Sequence, residues 1–335
     1  MRRREFCGLA ALAATLSTSG CSDSFGSQLL INPELDDALA RFRELPGTSA
    51  YCINLETGES QQSIQIQHLS DQKFLIGSAF KTFVITKCLQ DVEAGLLSLD
   101  KQVDIDDRIR VNDSPVFANL AGKVQLSSVL DAITAYSDNT ATDAAIAQVG
   151  PNRIRTFLVD SGMTATRIPD SIRLLESYLA GAQLGVDVGW EGIKRILQGV
   201  LPGLPRPAIN DEVSIISTTR ELASYYNRVL QGDFFTKPDS VIRFKSIHSR
   251  GNITFDGLTE TPTYAKLGNA SWMGFHALCY AGQIFFSDKN KASFAFAINW
   301  SGPDSDFGRI RDNFTVAITD SFKALKQQHQ SCLKT

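Results

Sequence analysis

A serine followed three positions later by a lysine is the feature of this sequence with the clearest catalytic potential. On a helix the two side chains share one face about one turn apart, so a lysine made neutral by burial can accept the serine proton. This spacing occurs at Ser70–Lys73, Ser78–Lys81 and Ser98–Lys101. The first pair lies in a polar segment and the third in a charged one, where a lysine stays solvated and protonated.

Ser78 and Lys81 form the pair that lies between apolar segments. Phe74–Ile76 precede them and Phe83–Ile85 follow them. Burial lowers the pKa of a lysine, and the first turn of a helix offers free backbone N–H groups beside a nucleophile. We therefore predict a buried helix that begins near Ser78, with Ser78 as the candidate nucleophile and Lys81 as the candidate base.

Two further segments carry polar groups that such a pair could use. Ser137–Asn139 supplies a second hydroxyl, which could relay a proton to a leaving group, and a carboxamide, which could hold a substrate amide. Lys266–Gly268 lies on a strand-like segment, where glycine allows close approach of a ligand to the backbone. Each segment also has a structural interpretation, because Ser137–Asn139 is a good helix cap and Lys266 could be a surface lysine.

The three segments, in this order, resemble the S-x-x-K, S-D-N and K-T-G motifs of the class A β-lactamase and penicillin-binding protein family. The similarity continues along Phe74–Asp100 and Ser137–Gly150, and the order of helices and strands agrees with it. The resemblance implies an α+β fold of the β-lactamase/transpeptidase type. An antiparallel sheet formed by both chain ends would be flanked by helices and carry an inserted all-helical region.

The resemblance also implies roles for the reactive side chains. Ser78 would be the acylated nucleophile and Lys81 its proton acceptor. Ser137 would pass a proton to the leaving nitrogen of the substrate. These three residues would carry out acyl transfer without a metal or another cofactor.

The substrate-binding residues follow from the same resemblance. Asn139 would hold the substrate amide, and Lys266 would supply positive charge near the substrate carboxylate. The backbone N–H groups of Ser78 and of Asn269, which follows Gly268, would form the oxyanion hole.

The sequence departs from the family pattern at two positions. Leu267 stands where the family has a threonine or serine whose hydroxyl helps to hold a β-lactam carboxylate. The best match to the E-x-x-L-N motif, whose glutamate activates the deacylating water, is Ile172–Glu176, with Ile172 at the glutamate position. Glu176 lies one helical turn further on the same face, and we predict that it acts as the general base. The alternative is that Glu176 is a solvated helix residue and that deacylation is slow or absent.

Residues 177–209 are interpreted as an insertion before a family-like helix at Ser217–Gln231. Apolar residues recur in it at near-helical spacing, and they are Trp190, Ile193, Ile196, Leu197, Val200 and Leu201. A proline-rich return, Pro202–Pro207, follows them. This segment could be a lid or a wall of the substrate site, or a helix that packs on the helical region.

The chain beyond its N-terminal segment is interpreted as one domain, 32–335. Its sheet region is predicted at 32–76 and 240–335, and its helical region at 77–239. The composition agrees with a globular domain, because 43% of the 335 residues are apolar and 21% are charged.

Residues 1–20 resemble an export signal, in which Arg2–Arg4 precede a short apolar run. Arg3–Phe6 looks like a twin-arginine signal, and Thr18–Cys21 resembles a lipobox in which Cys21 would become a lipidated N-terminus. We expect an exported prokaryotic protein that is periplasmic or tethered to the membrane as a lipoprotein, with an ordinary secretory signal as the alternative. Residues 21–31 are predicted to be a linker.

Charge and cysteine content exclude several classes of partner. The 33 basic and 36 acidic residues give a net charge of -3 and form no basic stripe, which argues against nucleic acid as a partner. No cluster has metal-ligand spacing, so we expect no metal. Four cysteines would meet an oxidising compartment after export, and their three possible pairings stay open; these are Cys52, Cys88, Cys279 and Cys332.

The sequence thus predicts a serine hydrolase that acts on a small-molecule acyl donor through an acyl-enzyme, with β-lactam hydrolysis as the leading activity. A carboxylesterase or peptidase, or a slowly deacylating penicillin-binding protein, could use the same serine. From another class, a non-catalytic binding lipoprotein could keep the fold. Ser78 and Lys81 argue against that last interpretation, whereas Leu267 and Ile172 argue for it. The oligomeric state stays open.

Overall fold

The computed structural model describes residues 33–58, 63–251 and 255–332, with side chains up to residue 328. The predicted export signal, the lipobox cysteine Cys21 and the linker lie outside the described residues. The helices are α1 (Pro33–Arg43), α2 (Lys81–Glu93), α3 (Leu126–Ala135), α4 (Asn139–Val149), α5 (Pro151–Asp160), α6 (Ile172–Leu179), α7 (Gly189–Leu197), α8 (Thr219–Gln231), α9 (Pro238–His248) and α10 (Phe307–Cys332). The strands are β1 (Thr48–Glu56), β2 (Ser63–His68), β3 (Phe74–Leu75), β4 (Gln102–Ile105), β5 (Gly122–Gln125), β6 (Ile216–Ser217), β7 (Thr263–Trp272), β8 (Phe275–Phe285) and β9 (Lys291–Ser301).

A five-stranded sheet joins the two ends of the chain. Its strand order is β2-β1-β9-β8-β7, and all neighbouring strands are antiparallel. The central strands β8 and β9 are buried along nearly their whole length, because helices cover both faces of the sheet. This arrangement confirms the predicted α+β fold with a sheet formed by both chain ends.

Two apolar clusters lie on opposite faces of this sheet. One packs α2, α3, α4 and α8 against the sheet, with Phe83 and Tyr226 among its fully buried side chains. The other packs α1 and α10 against the opposite face, where Phe42, Phe296 and Phe322 meet. The strand β7 forms the edge of the sheet on the side where a short 3₁₀ helix, Gly77–Phe80, precedes α2.

The structure corrects the predicted regions in two places. Residues 77–239 are not all helical, because β4 pairs with β5 and β6 pairs with β3. These strands have only two to four residues, too few for an alternating pattern to emerge. Residues 240–248, which we predict as part of the sheet region, belong to α9, which packs on α2, α3 and α8.

Cys52, Cys88 and Cys279 are buried free thiols in β1, α2 and β8. The sequence left the pairing of the cysteines open, and these three are not bonded to one another. The side chain of Cys332 lies outside the described residues. Among the described helices, none combines the length and the apolar character that crossing a bilayer requires.

Candidate active site

Ser78 lies in the 3₁₀ helix just before α2, half-buried on the surface of a cavity of about 320 Å³. The preceding residue, Gly77, has a φ of 48°, which few residues with a side chain adopt. A Cβ atom on Gly77 would lie 2.4 Å from the carbonyl oxygen of Asn269. Glycine therefore lets the turn that carries Ser78 press against the edge strand β7.

Gly268 makes the same contact from the strand. A Cβ atom there would lie 2.0 Å from the carbonyl oxygen of Ile76 and 2.6 Å from the backbone nitrogen of Ala79. The close approach that we predict for a ligand is thus made by the protein's own backbone. It places Asn269 beside Ser78 on the surface of the same cavity. The oxyanion hole from these two residues stays a prediction.

Lys81 is the first residue of α2 and is fully buried. Its Nζ donates to the carbonyl oxygen of Ser137 at 2.5 Å and to Oδ1 of Asn139 at 2.7 Å, and it lies 3.3 Å from Ser137 Oγ. Burial lowers its pKa from 10.5 to about 7, against the opposing pull of Asp138 and other acidic groups. Among the described residues, no hydrogen bond joins Lys81 to Ser78 Oγ.

Ser137 links the two buried lysines of the site. It lies between α3 and α4 with a φ of 56°, and its Oγ accepts from Lys266 Nζ at 3.0 Å. Lys266 also donates to the carbonyl oxygen of Leu267 at 2.7 Å. Burial, and then the nearby Lys81, hold the pKa of Lys266 well below its usual value. Lys266 is not one of the residues that line the cavity.

Asp138 has a structural role between these two functional neighbours. Its carboxylate accepts from the backbone N–H of Ala141 at 2.8 Å, which caps α4. The other oxygen accepts from the N–H groups of Val116 and Phe117 at 2.9 and 3.0 Å. The helix-cap interpretation of Ser137–Asn139 therefore holds for its middle residue, while Ser137 and Asn139 contact Lys81.

Glu176 on α6 borders the same cavity as Ser78. With the amide of Asn112 turned to donate, its nitrogen lies 2.6 and 2.8 Å from the two carboxylate oxygens of Glu176. Burial raises the pKa of Glu176 well above its ordinary value, and the nearby Asp143 and Asp113 add to the rise. Glu176 thus shares the cavity with Ser78, and its role as general base stays a prediction.

Asp143 fixes the position of α6 relative to α4. Its carboxylate accepts from the backbone N–H of Ile172 at 2.7 Å and of Arg173 at 3.1 Å. Burial raises the pKa of Asp143 to about 7, although these hydrogen bonds oppose the rise. Asp143 was not predicted as a site residue, although its position one helical turn after Asn139 was a signal in the sequence.

Other residues of the site carry little or no signal in the sequence. Asn112 and Asp113 line the cavity from a polar loop, and no motif in the sequence marks this loop as part of the site. Leu267, which replaces the family's hydroxyl, packs against the apolar cluster that includes α1 and α10. Ile172 is buried and lines the cavity, so the wall opposite Ser78 is apolar at the family's glutamate position.

Comparisons with known proteins identify similar sequences and similar folds. Residues 32–247 match the model of the beta-lactamase enzyme family. Beta-lactamase PSE-4 of Pseudomonas aeruginosa is 30% identical over 118 residues, which cover 35% of this chain and 41% of that protein. Beta-lactamase 1 of Streptomyces cacaoi is 30% identical over 145 residues, which cover 40% of this chain and 42% of that protein. The chain thus spans about two fifths of the length of these curated relatives.

Solved structures share the fold at lower identity. A beta lactamase from Xanthomonas campestris superposes with a TM-score of 0.63 at 20% identity, over 88% of this chain and 99% of that one. A beta-lactamase from Chitinophaga pinensis superposes with a TM-score of 0.65 at 15% identity, over 87% of this chain and 98% of that one. These structures support the fold described above.

Proposed function

Because this chain belongs to the beta-lactamase enzyme family, we propose that it is a serine hydrolase that opens β-lactam rings through an acyl-enzyme on Ser78. The observation that carries the proposal is the environment of Lys81. A neutral lysine has two N–H donors and one lone pair. Both donors are taken by oxygen atoms that can only accept, the carbonyl of Ser137 and Oδ1 of Asn139. The third contact, Ser137 Oγ at 3.3 Å, is a hydroxyl that can also donate, so the lone pair of a neutral Lys81 can accept a proton from a hydroxyl.

Acylation uses that lone pair. Ser78 Oγ attacks the lactam carbonyl carbon, and its proton passes to Lys81 Nζ. The carbon–nitrogen bond of the ring breaks, and the leaving nitrogen takes a proton from Ser137 Oγ, which Lys81 replenishes across 3.3 Å. Lys266 donates to Ser137 and so keeps its hydroxyl oriented. The products of this step are an ester on Ser78 and a neutral Lys81.

Deacylation requires a base that faces the ester. Glu176 takes a proton from water while the water oxygen attacks the ester carbonyl, and the proton returns to Ser78 Oγ as the carbon–oxygen bond breaks. Only the ionised carboxylate can act in this way. Since burial raises the pKa of Glu176, this step becomes faster as the pH rises.

A slowly deacylating penicillin-binding protein is the second candidate. The observation that favours it is Ile172, an apolar residue at the family's glutamate position. The same acylation chemistry applies, but the ester on Ser78 would persist. The two candidates differ in the lifetime of the adduct and not in its formation.

Hydrolysis of a chromogenic cephalosporin tests the proposal. Ser78→Ala should reduce turnover by about 10³ or more, as expected for loss of a nucleophile. Ser98→Ala is the matched control, because Ser98 belongs to another Ser-x-x-Lys pair and should not affect turnover. Equal turnover in wild type and Ser78→Ala would exclude Ser78 as the nucleophile.

We also propose that the protein is exported and lipidated at Cys21. The support is the sequence pattern alone, Arg3–Phe6 followed by an apolar run and Thr18–Cys21. Expression of the full chain with Cys21→Ala should move the protein from the membrane fraction to the soluble periplasmic fraction. An unchanged distribution would contradict the lipid anchor.

A further inference from the structure

The cavity beside Ser78 has two chemically different ends. Its polar side chains belong to the catalytic site described above and to the end of β7. The rest of its lining is apolar. It comes mainly from α6, from α7 and from residues 198–208, which follow α7 and are called the return segment. These apolar residues are Leu75, Phe80, Ile172, Leu175, Leu179, Ile193, Ile196, Leu197, Ala208, Ile215, Ala270 and Trp272.

The helix α7 is anchored by one residue and presents its neighbours to the cavity. Ile193 is buried, and α7 packs against α6. Ile196 and Leu197, on the next turn, also line the cavity. Leu197 is nevertheless 60% exposed. An apolar side chain exposed at the edge of a catalytic cavity is available to a ligand.

The return segment, residues 198–208, is held in place by Arg206. The Arg206 guanidinium donates to the carbonyl oxygens of Tyr178 and Ala182 and stacks on the Tyr178 ring, 4.1 Å from its centroid. The carbonyl oxygen of Arg206 accepts from Nε1 of Trp272 at 2.8 Å. The segment is thereby bonded to the end of α6 and to β7, so it forms a wall of the cavity and not a lid.

The ionisable side chains on the cavity surface are all acidic among the described residues. Asp113 and Glu176 are its only ionisable lining residues within the described chain, and both are acidic. The nearby amines of Lys81 and Lys266 are buried and hydrogen-bonded to Ser137, and burial lowers the pKa of both. A negatively charged acyl group would meet these acids and an apolar wall, without a basic partner on the surface.

We propose that the segment from Gly189 to Ala208 forms an acyl-group pocket that selects acyl donors with uncharged, apolar acyl side chains. The inference rests on the proposed function, because it assigns the substrate class of the same site. It extends that function by giving this segment the role of specificity determinant.

The test compares benzylpenicillin with its α-carboxy derivative, which differ by one carboxylate on the acyl side chain. We expect the wild type to have a kcat/KM at least about tenfold higher for benzylpenicillin. Leu197→Lys places a cation at the apolar wall. Its attraction for the added carboxylate should reduce this ratio by about tenfold. Leu184→Lys is the matched control, since Leu184 is 56% exposed in the loop that precedes this segment and does not line the cavity.

The outcomes separate the two proposals. A wild-type ratio near one, or equal ratios in Leu197→Lys and Leu184→Lys, would overturn the acyl-pocket proposal while β-lactam turnover stands. If neither penicillin acylates Ser78, the proposed function fails.

The acyl-pocket proposal is then tested with p-nitrophenyl butyrate and mono-p-nitrophenyl succinate, which differ mainly by a terminal carboxylate. Preference for the butyrate that falls in Leu197→Lys alone would support the pocket, and equal rates would overturn it.

Discussion

Replacing Lys81 by methionine should slow acylation by about 10² to 10⁴ while preserving the fold. Methionine has nearly the volume of lysine and removes an amine that is fully buried. With a pKa of about 7, about half of the Lys81 amines are neutral at pH 7. At an unshifted lysine pKa the neutral fraction would be on the order of 10³ times smaller. Burial thus accounts for nearly all of the neutral Lys81 that can act as a base at pH 7.

The assay is the acylation rate of Ser78 by a penicillin between pH 5.5 and 9. In the wild type, the rate should rise about tenfold per pH unit below the pKa and level off above it, with a midpoint near pH 7. Lys81→Met should be slower by about 10² to 10⁴ at pH 7 and should lack this inflection. Acylation within fivefold of the wild type, or an inflection that persists in the variant, would refute the role of Lys81.

Thermal unfolding of the same two proteins checks that the fold is intact. The pKa of Lys81 is depressed in the folded state, so the unfolded chain binds more protons between about pH 7 and 10.5. The contribution of Lys81 to the free energy of unfolding of the wild type should therefore increase as the pH rises across that window. Lys81→Met lacks this contribution, and its melting temperature should change less over the same range.

Three further predictions follow from the neighbouring residues. Glu176→Gln should accumulate the Ser78 adduct, with deacylation slower by about 10² to 10⁴, whereas equal clearance by time-resolved mass spectrometry would rule out Glu176 as the base. Asp143→Asn keeps an acceptor for the N–H groups of α6 but cannot ionise. Because burial raises the pKa of Asp143 to about 7, the free energy of unfolding of the wild type should fall as the pH rises from 4 to 7. Melting curves should show a smaller fall in Asp143→Asn, and parallel curves would contradict the raised pKa. Gly268→Ala should cost about 2 kcal/mol or more in denaturant unfolding, since its Cβ would overlap the Ile76 carbonyl; an unchanged midpoint would show that β7 can move away.

The sequence allowed the architecture to be predicted because its signals were local. The motifs in Phe74–Asp100 and Ser137–Gly150 indicated the family resemblance, which implied one sheet formed by both chain ends, and the five-stranded sheet confirms this. The apolar residues around Ser78 indicated burial of Lys81, which the structure shows. The β4–β5 pair was missed because its strands are short. The helix α9 was missed because the predicted helical region ended at residue 239, whereas α9 runs from Pro238 to His248.

The electrostatics of the site depend on contacts that no local pattern contains. The depressed pKa of Lys266 comes from burial and from Lys81, which is distant in sequence. Burial raises the pKa of Glu176, and Asp143 on α4 and Asp113 in a loop, both distant in sequence, add to the rise. Likewise, the sequence left α7 open as a lid, a wall or a packed helix, and the contacts of Arg206 with Tyr178 and Trp272 favour a wall.

The mass of the peptide that contains Ser78, measured after brief exposure to benzylpenicillin, tests the central claim most directly. The account predicts one penicilloyl group on Ser78 in the wild type, a more persistent group in Glu176→Gln, and none in Ser78→Ala. An adduct on another residue, or an equal adduct in Ser78→Ala, would contradict the account.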